Sequence, residues 1–375
     1  MKSILARIIY SVALLALGCW GQTSGTSQQP SNRPNKPQAQ EEMVAAKKEV
    51  QVNSPLHLSI VETITAKREL AGVFSELNCD EDGNIYLGAE NWAGTIKKLN
   101  SKGELLATID RHNNPDVEVY GAGSYTLSPT GELYTWVGSQ KDRAFHMLIY
   151  GADGQYKSAI KLEGDVRWVP GPFAVFGNGN FLMIGQRYGH DVKQPMTPFT
   201  GLYRSDGKLL KQIALEDDER IQDLAKEKEH DSKLTSAAVP TSNPAVALGH
   251  AQSAKDGNIY VMRWLSPAVF YVVSPSGEVL RRFTVDPGRS NLMPVTMHIS
   301  GNRIAVLFRD NGTREQEMKI VDLNGEEIAS YDATSPDPQR PLGAAFACYF
   351  AKTGRFSFRA TDDDHRVLFR IVEPR

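Results

Sequence analysis

Seven side chains suited to gripping a ligand lie where strand ends would deliver them to one surface. Arg187, Arg263, Arg309 and Arg359 close short apolar runs, His190 stands near the first, and Trp92 and Trp264 occupy comparable places. Guanidinium forks hold carboxylate and phosphate oxygens, and indole faces pack on cations. Gathered at one mouth, these residues would line a cationic, aromatic funnel for an anionic or sugar-like ligand. Kept apart, the arginines would pair with Glu90, Asp310 and Asp362 to Asp364 and hold neighbouring units together, which is the preferred reading. His250 and His298 precede two of the chain's turns, and on inner strands they would be candidate ligands for a divalent metal. Two imidazoles fall short of a full set, so a buried histidine bonded to the next unit is the simpler role for each. No GxSxG, HExxH or phosphate-loop pattern occurs, and catalytic residues stay unassigned.

The elements that must position these groups announce themselves as a repeat. A polar turn running straight into an apolar or aromatic strand recurs at Gly83, Gly131, Gly179, Gly257, Gly301 and Gly354. The steps are 44 to 53 residues, save for 78 between Gly179 and Gly257. A second strand–turn–strand signature follows inside the units at Gly103, Gly154, Gly207, Gly277 and Gly325. Glycine supplies the positive φ that tight hairpin turns demand. With the strand before each first turn, every unit holds four short antiparallel strands in about 45 residues, the length and content of a β-propeller blade. One such unit cannot bury both its faces alone, so the copies must stack.

The fold expected is all-β: a six-bladed β-propeller of four-stranded antiparallel blades over residues 55–375. The sixth unit is one outer strand short, and the strand-like run from Leu56 to Thr65 is expected to supply it, closing the ring and removing exposed edges. The 78-residue step leaves room for an insertion. Glu216 to Glu219 followed by lysines at 226, 228 and 233 predicts one helical insertion at about 216–235, its charges complementing the helix dipole. Ile221, Leu224 and Ala225 give it a narrow apolar stripe for docking as a lid. Because the glycine turns are short, their rim has little room for a site. The longer loops at the opposite end are the expected binding face.

The copies at Gly83 and Gly257 resemble NHL-repeat blades. Asp80-Glu81-Asp82-Gly83-Asn84-Ile85-Tyr86, with Ile96 to Leu105, follows that family's D-x-D-G-N-I-Y pattern, and Lys255 to Leu280 does likewise. The resemblance implies a fold and no activity, since the family includes binding scaffolds and some enzymes. An NHL-type lyase places several inner-strand histidines around zinc, of which His250 and His298 are the two matched here. Calcium-dependent propeller lactonases need a spaced set of acids and amides, of which Glu76 alone is matched.

The first 21 residues read as a signal peptide: Lys2 and Arg7, an apolar stretch from Ile8 to Leu17, then Gly18-Cys19. Ala16-Leu17-Gly18-Cys19 also resembles a degenerate bacterial lipobox, which implies lipidation at Cys19; ordinary cleavage near Gly18 or Gly21 is the competing reading. Residues 22–50 are poor in large apolar side chains and read as a disordered linker. Export would permit a Cys79–Cys348 disulfide, although two small buried cysteines are the preferred reading, because inner strands of adjacent units can lie too far apart to bridge. A net charge of -2 argues against a nucleic-acid partner. The expectation is an exported monomeric module, in the periplasm, anchored to the outer membrane or extracellular. It recognises a protein segment or glycan without a cofactor and touches a membrane only through an N-terminal lipid. The alternative is a metal-assisted lyase or hydrolase using the central channel.

Overall fold

The computed structural model describes residues 56–66, 74–89, 94–164, 168–187, 197–218, 249–310, 312–313, 315–335, 342–343, 345–363 and 366–375. The signal peptide and Cys19, the 22–50 linker, Trp92 and His190 lie outside them. So does the helix expected over about 216–235, past Asp218. Every element described is a strand, and the fold is propeller-like.

An amino-terminal strand, β1 (Leu56–Thr65), precedes four up-and-down antiparallel sheets. The first holds β2 (Phe74–Cys79), β3 (Ile85–Ala89), β4 (Thr95–Leu99) and β5 (Leu105–Asp110). The second holds β6 (Val119–Leu127), β7 (Leu133–Ser139), β8 (Phe145–Tyr150) and β9 (Tyr156–Lys161). The third holds β10 (Trp168–Val175), β11 (Phe181–Arg187), β12 (Thr197–Tyr203) and β13 (Leu209–Gln212). The fourth holds β14 (His250–Ser253), β15 (Ile259–Arg263), β16 (Ala268–Val273) and β17 (Val279–Val285).

The remaining strands are β18 (Met293–Ser300), β19 (Arg303–Arg309), β20 (Gln316–Asp322), β21 (Glu327–Asp332), β22 (Ala345–Phe350), β23 (Arg355–Thr361) and β24 (Val367–Pro374). With β1 they form one eight-stranded sheet, in the order β18-β19-β20-β21-β1-β24-β23-β22. Here the architecture departs from six separate four-stranded sheets, and the cause is β1. It pairs antiparallel with β24 from Leu58↔Pro374 to Thr65↔Leu368, the closure its sequence predicts. Its first two residues then reach across to β21, pairing in parallel at Leu56↔Tyr331 and His57↔Asp332. The two halves joined by that short bridge nevertheless pack on one another through Met318, Ile320, Phe346, Phe356 and Phe358.

The first strands follow one another in a closed cycle, β2 beside β6, β10, β14, β18 and β22, with β22 beside β2 again. Apolar clusters fill the gaps between successive sheets. Being covered on both faces, some middle strands are buried throughout: β15 and β16 are buried along their whole length. Outer strands such as β5 and β17 are largely exposed, with Ile109 and Val285 their buried residues.

Each glycine of the two repeat signatures has positive φ, from +60° at Gly301 to +90° at Gly325. At Gly207 a second constraint applies: a Cβ there would stand 2.1 Å from the Lys161 carbonyl oxygen, on the preceding sheet. The Asp of the D-x-D-G-N turn is structural as well. Asp80 accepts from the backbone N–H of Asp82 and Asn84 at 3.0 and 2.9 Å and from Asn84 Nδ2 at 2.7 Å.

Candidate functional site

The first strands carry polar side chains where neighbouring strands of the cycle approach, and these chains are used to fasten one sheet to the next. Glu76 Oε2 on β2 accepts from the Tyr125 N–H on β6 at 3.2 Å. Ser124 Oγ on β6 donates to the Gly171 carbonyl on β10 at 2.9 Å, and Ser253 Oγ on β14 donates to Val175, also on β10, at 2.6 Å. Gln252 Oε1 on β14 accepts from the Ile299 N–H on β18 at 2.8 Å, and His298 Nδ1 on β18 accepts from the Tyr349 N–H on β22 at 3.2 Å. Five junctions are thus closed by side chain–backbone hydrogen bonds.

The sixth, between β22 and β2, is closed covalently. Cys79 and Cys348 form a disulfide with Cα atoms 5.9 Å apart, correcting the expectation of two unpaired buried cysteines. The inner strands of the first and last units adjoin directly, which brings the Cα atoms inside bridging range.

Glu76 is the carboxyl of this set. Burial pushes its pKa up to about 7, against the pull of the Arg111 guanidinium and the Tyr125 N–H. Arg111 is itself buried and donates to the carbonyls of Gly94 and Gly123 at 2.9 and 2.6 Å. Tyr125 lies against Gly88, where a Cβ would come within 2.6 Å of its ring, and its hydroxyl donates to the Tyr86 carbonyl at 2.8 Å. Since the folded-state pKa of Glu76 exceeds the ordinary 4.5, the folded chain holds an extra proton between 4.5 and about 7. The corresponding stability is present below pH 4.5 and lost as pH rises through 7. Glu76→Gln is therefore expected to unfold like the wild type at pH 4.5 and to be more stable by roughly 1–2 kcal/mol at pH 8, after allowance for partial solvent access. Urea titrations at the two pH values read this directly, and an equal difference at both would refute it. The histidines act in the opposite sense, with burial holding His250 and His298 near 4, so only the single substitution isolates Glu76.

Beyond these fastenings the cycle opens, at the end carrying the glycine turns, into a cavity of about 460 Å³. Its rim is made by Asp80 to Asp82, Lys98, Ser128 to Gly131 and Gln252 to Lys255. Lys255 Nζ reaches Glu81 Oε1 at 2.9 Å, an exposed ion pair between the first sheet and the fourth. Lys98 lies 5.3 Å above the Tyr86 ring and donates to the Ala152 carbonyl at 3.0 Å. A smaller cavity of about 90 Å³ adjoins it against Cys79, His298 and Tyr349. The rim expected to have little room therefore holds a cavity of about 460 Å³.

The sequence-derived candidates lie towards the opposite end. Arg187, Arg263 and Arg309 close β11, β15 and β19, and Arg359 sits two residues before the end of β23. Arg187 turns to its own outer strands, stacking 4.6 Å over Phe199 and donating to Gln212 Oε1 at 3.0 Å. Arg263 is fully buried and ion-paired to Asp218 at 2.6 Å. Burial lowers the pKa of Arg309. Trp264 packs edge-on to His250 with ring centroids 5.7 Å apart. His250 and His298 lie on neighbouring strands, but His250 opens β14 whereas His298 is near the turn end of β18. Among the described residues, no three histidine, cysteine or acidic side chains are grouped as a metal site.

No family model matches this chain, and no curated protein does. Solved structures of similar fold include a protein of unknown function from Dyadobacter fermentans, 10% identical, with a TM-score of 0.48 over 85% of this chain and 99% of that one. A protein of unknown function from Bacteroides caccae is 13% identical, with a TM-score of 0.41 over 74% of this chain and 94% of that one. The WD40 β-propeller domain of Doa1 is also 13% identical at 0.41, covering 80% and 79%. Likeness at this level carries no argument about activity, and the fold stands on its own sheets.

Proposed function

We propose that this protein is an exported, six-bladed propeller of NHL-like type that works as a binding module, taking a protein segment at the mouth on its glycine-turn end. The cavity of about 460 Å³ carries the reading, because its rim presents exposed charges of both signs together with turn backbone. Such a surface can recognise an extended chain through hydrogen bonds and salt links. The blade count is supported by the closed cycle of six first strands and by the packing of the eight-stranded sheet's halves on each other. Export is supported by the disulfide, which persists in oxidising compartments.

A random peptide library panned on the full chain tests the reading. Selected peptides are expected to lose about tenfold in affinity on Lys255→Glu, which turns the Glu81 link into repulsion. Peptides that bind both proteins equally, or a library that yields no binder, would remove the proposal. Stoichiometric zinc in the purified protein, lost in His250→Ala with His298→Ala, would instead favour the metal-assisted lyase or hydrolase.

A further inference from the structure

A further cavity, of about 250 Å³, lies on the third sheet, away from the mouth. It is lined by Glu163, Gly164, Trp168, Arg187, Phe199, Tyr203 and Leu209. Its walls are aromatic: Trp168 stands 5.6 Å from Phe199 and 5.9 Å from Tyr203, ring centroid to centroid. Its polar groups are incompletely used. Tyr203 is fully buried, and its hydroxyl has no hydrogen-bond partner among the described residues. Arg187 spends one terminal nitrogen on Gln212, while its Nε, also buried, has no partner among them. Glu163 supplies an acceptor in the same space, one oxygen of its carboxylate taking the Leu209 N–H at 3.1 Å.

A buried hydroxyl and a buried guanidinium N–H left unsatisfied each carry a desolvation cost that a ligand could relieve. The polar set is mixed. Arg187 Nε only donates, a carboxylate only accepts, and a tyrosine hydroxyl does both. A simple anion would satisfy Arg187 and Tyr203 but be repelled by Glu163. An apolar molecule would leave all three wanting. A polyhydroxylated ring fits, because each hydroxyl both gives and takes a hydrogen bond. The volume is below that of drug-sized pockets, which limits the occupant to one small unit.

We propose that this cavity binds a single neutral sugar residue, with Arg187 and Tyr203 donating to its oxygens and Glu163 accepting from a hydroxyl. This site is distinct from the mouth and does not depend on the peptide reading.

The full chain is titrated with glucose, galactose, mannose and N-acetylglucosamine, with acetate and glucuronate as anionic comparators. Calorimetry and ligand-observed NMR report binding. At least one neutral sugar is expected to saturate with Kd on the order of 1 mM, as a few buried contacts allow. Tyr203→Phe, which keeps the ring and removes only the hydroxyl, is expected to weaken that binding about tenfold, and Glu163→Gln to weaken it by a similar factor. The peptide affinity of the mouth should not change in either variant. Absence of saturable sugar binding would overturn the proposal, the cavity then holding water only. Binding of acetate in preference to every neutral sugar would overturn it too. So would sugar binding that Tyr203→Phe leaves intact.

Discussion

Serine at both Cys79 and Cys348 is expected to lower the melting temperature by about 5–15 °C, the largest loss available from two conservative substitutions. The bond spans 269 residues, and the chain-entropy argument puts the constraint on a loop of that length at about 5–6 kcal/mol. Native disulfides usually deliver roughly 2–5 kcal/mol, which for a domain of this size corresponds to the stated shift. The effect should be concentrated at one junction. At five others a side chain–backbone hydrogen bond links successive first strands, whereas between β22 and β2 the sulfur bridge does so. Near it, the β1–β24 pairing also ties the two ends of the described chain. Calorimetry of the double variant, set beside wild type in reductant, measures the loss. Matching transitions in all three samples would show that the bond contributes nothing.

The second large effect is expected at Arg263 and Asp218. The guanidinium is wholly buried, and its Nε and one terminal nitrogen have no partner among the described residues, so the Asp218 carboxylate at 2.6 Å is its main compensation. Burial already lowers the pKa of Arg263, with Asp218 opposing the shift. Removing one member of a buried pair typically costs about 3–5 kcal/mol, and the partial exposure of Asp218 reduces this to roughly 2–4 for Asp218→Asn. Replacing the arginine as well is expected to recover most of that loss. Arg263→Met with Asp218→Asn removes both charges of the pair together, and the double variant should lie within about 1 kcal/mol of wild type. A urea double-mutant cycle decides the matter, and strictly additive single losses would mean that the pair is not coupled.

Much of this was legible in the residues and some was not, and the division follows sequence distance. The turn glycines could be placed because positive φ is a demand of the residue itself, met at Gly83 by neighbours within four positions. The strand that closes the carboxyl-terminal half could be placed because one unit lacked an outer strand and Leu56 to Thr65 was unassigned. Arginines at strand ends were expected to hold the structure together. Arg263 does so with Asp218, 45 residues away, an acid outside the set of Glu90, Asp310 and Asp362 to Asp364 expected as partners. Glu76 was noticed only as one member of an unmatched ligand set. No local signal marks it as the acceptor for a backbone N–H 49 residues on.

What the sequence alone determined was the succession of strands and turns, since hydrophobic alternation and backbone dihedral demands are settled within a few residues. What only the tertiary structure decided was where separate units meet: the sulfur bridge, the buried Arg263, the open mouth on the turn end and the cavity beside Tyr203. Those meetings depend on how closely stacked sheets approach around the cycle, a distance fixed by the packing of side chains far apart in sequence.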